Sequence, residues 1–289
     1  MTDVITSLPF GTIRTQLEEI MIAVGNKLER EWPKKWIAYP EAAVVLRGTV
    51  AVTENTYHTI RILCADPHPH PSVRPEFVVS VPPLARTVLD SLFTVVFLFE
   101  DLPVRIKWYL KSGWRELYKE HQRYQQTYGT DPTWLDWLAK QSAFVDQMKI
   151  DWRITAKEEA DPSKLPWWPN PGQMIGDKNT SQTRKDYLIY LNDWFYKELS
   201  SDSHLSWPGL ARRSMHFLNK DRDQRDRDLE KFRSDCLTVT IALLLAVLSE
   251  IQIELGYDLS ERLKYIWGIL KPGFLMVREL YEYRYQGLL

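Results

Sequence analysis

Leu237–Ile253 reads LTVTIALLLAVLSEIQI, and the fold turns on what this stretch is. A second apolar run, LARTVLDSLFTVVFLF, covers Leu84–Phe99. Either could be taken for a membrane span. Yet Arg86 and Asp90 interrupt one and Glu250 the other. Their uncharged parts fall short of the roughly 20 residues that cross a bilayer. Both therefore read as central helices of a bundle, buried on most sides, and no membrane insertion is expected.

Further helices appear on either side of these two. Ile13, Leu17, Ile20, Met21, Val24 and Leu28 recur at helical spacing, and Pro33 marks a break after them. A second helix is expected over about 42–65, although its many Val and Thr residues also suit a strand. DPHPHPSVRPE then stops it with four prolines. The third should begin near Phe77 or Pro82 and end before Pro103. Residues 105–160, rich in Trp, Tyr, Lys and Glu, read as one or two amphipathic outer helices. The segment DPSKLPWWPNPGQMIGDKNTS reads as a long loop whose Trp167 and Trp168 pack back onto the body. The helical pattern resumes with Tyr187, Leu188, Leu191, Phe195 and Leu199 near one face. The charge run after Asp221 reads as the solvated start of a helix. One or two helices close the chain around Pro272. The expected fold is all-α: a single domain over 1–289, a bundle of about four core helices, and a peripheral insertion at about 105–180.

The 289 residues include 37 Lys and Arg against 38 Asp and Glu, a net charge of -1. That balance disfavours a strongly basic nucleic-acid binder but leaves room for a local basic cleft. Cys64 and Cys236 sit in apolar helical contexts with no Cys-x-x-Cys spacing, so no disulfide framework is expected. MTDVITSLPFG lacks the basic start and apolar core of a signal peptide, and a cytoplasmic location is the expectation. No phosphate loop, dinucleotide fingerprint or serine-hydrolase elbow occurs. His68 and His70 could chelate, but no third ligand is indicated, so neither metal nor cofactor is expected.

Arg86 and Asp90 share a helical face four residues apart. The plain reading is an internal salt bridge bracing the bundle. The functional one is a guanidinium aimed by a carboxylate at a phosphate or developing anion. His204, in YKELSSDSHLSW, either orders the turn before Trp207-Pro208-Gly209 or serves as a base or acid near neutral pH. Tyr196, Ser200, Asp202 and Ser203 could orient its ring or bind an anion beside it.

PPLARTVLDSLFTVVFLFED and DYLIYLNDWFYKELSSDSHLSW together resemble a family of bacterial helical proteins known as DUF5677, over roughly residues 40–255 excluding much of 105–180. Arg86, Asp90, Tyr196, Leu199, Ser200 and His204 match its pattern, with Asp90 where the family has Glu. That family is similar in its helices to the HEPN superfamily, many of whose members are metal-independent ribonucleases of toxin and phage-defence systems. The superfamily's Arg and His, four to six residues apart, have no convincing copy here. Pro67 separates Arg61 from His68, and Arg212 and His216 are too close.

The resemblance implies catalytic roles for Arg86, Asp90 and His204 and substrate contacts for Tyr196 and Ser200. The leading expectation is an interaction or structural role, in bacterial stress or phage defence. The alternative is a HEPN-like ribonuclease in which Arg86 and His204 meet from separate helices. A protein or RNA partner and a homodimer follow from these expectations. Exposed Trp114, Trp134 and Trp137 would favour the interaction role.

Overall fold

The computed structural model describes residues 10–65, 75–203 and 221–289, with positions 207, 209 and 211 between them. His204, Arg212 and His216, and the histidines at 68 and 70, lie outside the described residues.

Helix α1 (Phe10–Arg30) buries all six apolar residues named above. Helix α2 (Pro40–Leu63) starts on a proline, which gives up no hydrogen bond at a first turn. Ala42, Leu46, Val50, Thr53, Tyr57 and Ile60 form its buried stripe, three or four residues apart. That period excludes a strand. The threonines are tolerated because their hydroxyls turn back onto the helix. Thr49 donates to the Val45 carbonyl at 2.9 Å, and Thr56 to that of Val52 at 2.8 Å.

Helix α3 (Val81–Glu100) follows a short 3-10 turn, Pro75–Ser80. Helix α4 (Leu102–Tyr128) follows after Asp101, whose carboxylate accepts the Val104 N–H at 3.4 Å. Helix α5 (Leu135–Asp151) folds back along α4. The turn between them is set by Asp131, which accepts both the backbone N–H and the hydroxyl of Thr133, at 2.9 and 2.8 Å.

The expected loop after α5 is partly helical. Helix α6 (Ala156–Ala160) is closed by a Thr155–Glu158 capping box, and α7 (Pro171–Gly176) by one from Asn170 and Gln173. Such reciprocal caps let very short helices end cleanly. Trp168 does pack onto the body, edge-on to Phe97, Trp108 and Tyr109. Trp167 stays half-exposed beneath the Arg115 guanidinium, 3.8 Å above its ring.

Helix α8 (Gln182–Leu191), a π turn (Asn192–Tyr196) and helix α9 (Lys197–Ser203) form one rod. Tyr187, Leu191, Phe195 and Leu199 are four apart, and on a pure α-helix that spacing drifts about 40° per step. The π turn absorbs one residue and brings Leu199 back to the Tyr187 face, so all four are buried.

Helix α10 (Arg222–Leu255) begins solvated and then disappears into the core, with every residue from Ile241 to Leu248 buried. Gly256, at φ 72°, ends it in the left-handed conformation. Helices α11 (Ser260–Leu270) and α12 (Leu275–Arg284) close the chain.

The described residues form helices and no strands. Helices α3 and α10 make the most extensive packing and sit at the centre. Both are long and apolar enough to cross a membrane by length and composition, but their apolar windows are 61% and 83% buried inside the protein. The core is wider than the four helices expected. Residues from α1, α2, α3, α4, the α8–α9 rod, α10, α11 and α12 all enter one continuous cluster. A central helix that is apolar all round needs more than three neighbours to cover it.

Candidate functional site

Arg86 lies one turn before Asp90 on α3 and donates from Nε to both carboxylate oxygens, at 3.0 and 3.2 Å. Its guanidinium stacks on the Tyr196 ring, 3.6 Å from the centroid. Tyr196 ends the π turn and packs edge-on to Phe93 of α3, which fixes the ring under the cation. Three of the predicted site residues are thus brought together from two elements. Ser200 follows one turn later on α9, and His204 lies outside the described residues.

The pair is not the internal salt bridge that apolar flanks suggested. The Arg86 side chain is 14% exposed, but Asp90 is 49% exposed. Partial burial still pushes the Asp90 carboxyl pKa up, against the hydrogen bond and charge of Arg86, which pull it down. Asp90 borders an open groove of about 450 Å³ between α2 and α3, floored by Gly48, Thr49, Thr87, Ser91 and Thr94. Arg86 Nη1 is buried and has no hydrogen-bond partner among the described residues. An unpaired guanidinium N–H beside a carboxylate and an aromatic ring can donate to one anionic oxygen.

The deepest charges are elsewhere. Glu250 on α10 is fully buried and takes two hydrogen bonds from Arg284 of α12, at 2.8 and 2.9 Å. Beside it the Tyr187 and Tyr285 hydroxyls meet at 2.7 Å, and burial holds both well above the ordinary tyrosine pKa. Arg105 donates to the Phe97 carbonyl, Asp177 and Thr180, tying α4 to the α7–α8 connection. Arg184 joins Glu100 of α3 and Glu254 of α10. These pairs brace helix ends. Which charges meet was not visible in sequence, because the charged partners are 34 to 84 residues apart.

Of the three tryptophans whose exposure would favour an interaction role, Trp114 is fully buried, with Nε1 donating to the Val145 carbonyl at 3.2 Å. Trp134 is half-buried and stacks on Tyr128 at 4.3 Å. Trp137 is exposed. A long aromatic helix needs its own anchor where it leaves the core, and Trp114 fills that role with Val145 and Leu165.

The Cys64 thiol is buried, and desolvation pushes its pKa up to about 12. No cluster of three His, Cys, Asp or Glu among the described residues could hold a metal. Compared with family models, with curated proteins and with solved structures, the chain matches none.

Proposed function

We propose that this chain is an interaction protein whose docking surface is the α4–α5 hairpin. The observation that carries this reading is the imbalance of α5. Of its residues only Leu138 and Val145 are buried, while Leu135, Trp137, Phe144 and Ile150 are 49%, 38%, 46% and 68% exposed. Trp137 and Phe144 are seven apart and share a face. At the hairpin's end Tyr124, Tyr128, Trp134 and Trp137 stack into a rigid aromatic group. Rigid aromatics lose little entropy on docking and are frequent anchors of protein interfaces. In this reading Arg86, Asp90 and Tyr196 hold α3 against the rod.

The test is native mass spectrometry of the chain purified from its own cells. A stoichiometric protein complex is expected, lost on Trp137→Ser with Phe144→Ser while helicity is kept. The same complex in the variant, or no complex in either, overturns the reading.

A second reading rests on Arg86 Nη1, a buried donor without a partner among the described residues. It makes the chain a HEPN-like, metal-independent ribonuclease. His204 would take the 2'-hydroxyl proton or protonate the leaving oxygen, Arg86 would stabilise the phosphorane, and Ser200 would contact phosphate. Cleavage of RNA in excess chelator, leaving 2',3'-cyclic phosphate ends and lost in Arg86→Ala and His204→Ala, is its expected result. RNA left intact sinks it.

A further inference from the structure

A second cavity has nothing to do with Arg86. It opens between the start of α3, the π turn and α9, the middle of α10 and the start of α12, and encloses about 380 Å³. Small-molecule sites run from about 300 to 1,000 Å³. Its walls are apolar and aromatic, with Trp194, Phe195, Phe232 and Phe274 contributing rings. Two carboxylates line it, Glu198 at the exposed rim and Asp235 half-buried on α10. Neither has a side-chain ion pair or hydrogen bond among the described residues, and among those residues no Lys, Arg or His lines the cavity. Burial pushes the Asp235 carboxyl pKa up, with only the charge of Lys231 opposing it.

An independent observation comes from Thr238, one turn beyond Asp235. Its side chain is fully buried, it lines the same cavity, and its hydroxyl has no partner among the described residues. Thr240, two residues on, shows the ordinary solution, donating to the Cys236 carbonyl at 2.8 Å. A buried hydroxyl left unsatisfied costs about 1–3 kcal/mol, so its presence in a cavity wall points to a ligand atom that completes it.

We propose that this cleft binds a small organic ammonium with an apolar body. The ammonium sits between Asp235 and Glu198, donates to the Thr238 hydroxyl and faces the aromatic rings. The apolar body fills the space between Phe232, Phe274 and Met276. Carboxylates exclude an anion, and ring faces favour a cation over a neutral group.

The test titrates the full chain with n-octylammonium, n-octanol and n-octanoate, each below its micelle concentration and at equal ionic strength, by calorimetry. Saturable one-site binding is expected, with the ammonium about tenfold or more tighter than the carboxylate. Asp235→Asn with Glu198→Gln should remove that preference, and Thr238→Val should weaken the ammonium alone. Glu198→Gln by itself, at the exposed rim, should give an intermediate ratio and guards against a folding defect in the pair. Val239→Phe, which narrows the cleft, should remove all three ligands. Octanoate binding as tightly as octylammonium, a preference that survives loss of the carboxylates, or no saturable binding overturns the proposal.

Discussion

At the scale of single residues, the polar groups on apolar helices divide by depth. Arg86 and Asp90 were legible because four residues on one helix define one face. Tyr196 was named in sequence only beside His204 or a substrate, and its stacking on Arg86 was not legible, since stacking depends on how the rod crosses α3. Glu250 was noticed as a charge in an apolar run, but its pairing with Arg284 was not legible. Removing one member leaves a charge in the core, so Arg284→Ala should cost about 3–5 kcal/mol in urea unfolding. Arg284→Met with Glu250→Leu should cost much less, because neither partner is then left unpaired. The Tyr187–Tyr285 pair predicts an alkaline limit. Below the ordinary tyrosine pKa of 10.0, both folded and unfolded chains keep these protons and the pair's contribution is complete. As pH rises past it, the unfolded chain ionises while the buried hydroxyls hold their protons. Stability then falls, by up to about 1.4 kcal/mol per pH unit for each tyrosine. Tyr187→Phe with Tyr285→Phe should flatten that slope in unfolding curves taken from roughly pH 9.5 to 11.

At the scale of elements, periodicity fixed most helices and misjudged the irregular ones. The stripe of α2 and the alternating charges that open α10 are local patterns, so both were readable. The π turn was hidden in a run of four-residue spacings that an α-helix cannot keep on one face. It carries one residue more than the α-helix it replaces, and this gives a prediction. Deleting the exposed Asp193 should convert the turn to α-helix and leave Tyr196 and Leu199 in register against Phe93 of α3. The melting temperature should then change little. Inserting an alanine after Asp193 should rotate the following turn by about 100° and lower it sharply. If the deletion is the more damaging of the two, the turn is not a register device. The exposed face of α5 belongs to this scale too. Its aromatics were noticed in sequence, but the division between Trp114 and Trp137 needed the position of α4.

At the scale of the whole molecule, α3 and α10 are apolar enough for a bilayer and are instead each other's principal neighbours. Opening the bundle to insert them would expose the Glu250–Arg284 and Arg184–Glu254 pairs to lipid. The protein should therefore stay at the bottom of a flotation gradient with neutral liposomes. Co-flotation would mean that the two helices leave the core. Sequence by itself determined the all-helical class, the placing of α3 and α10 inside, and the Arg86–Asp90 pair. These rest on a 3.6-residue period that is written locally along the chain. Only the tertiary structure decided which tryptophans are exposed, which distant carboxylates meet Arg105, Arg184 and Arg284, and where an acidic, aromatic cleft is left open. Each of these depends on the angle and register at which helices cross. Those are set by side-chain packing between segments far apart in the chain, which no local period records.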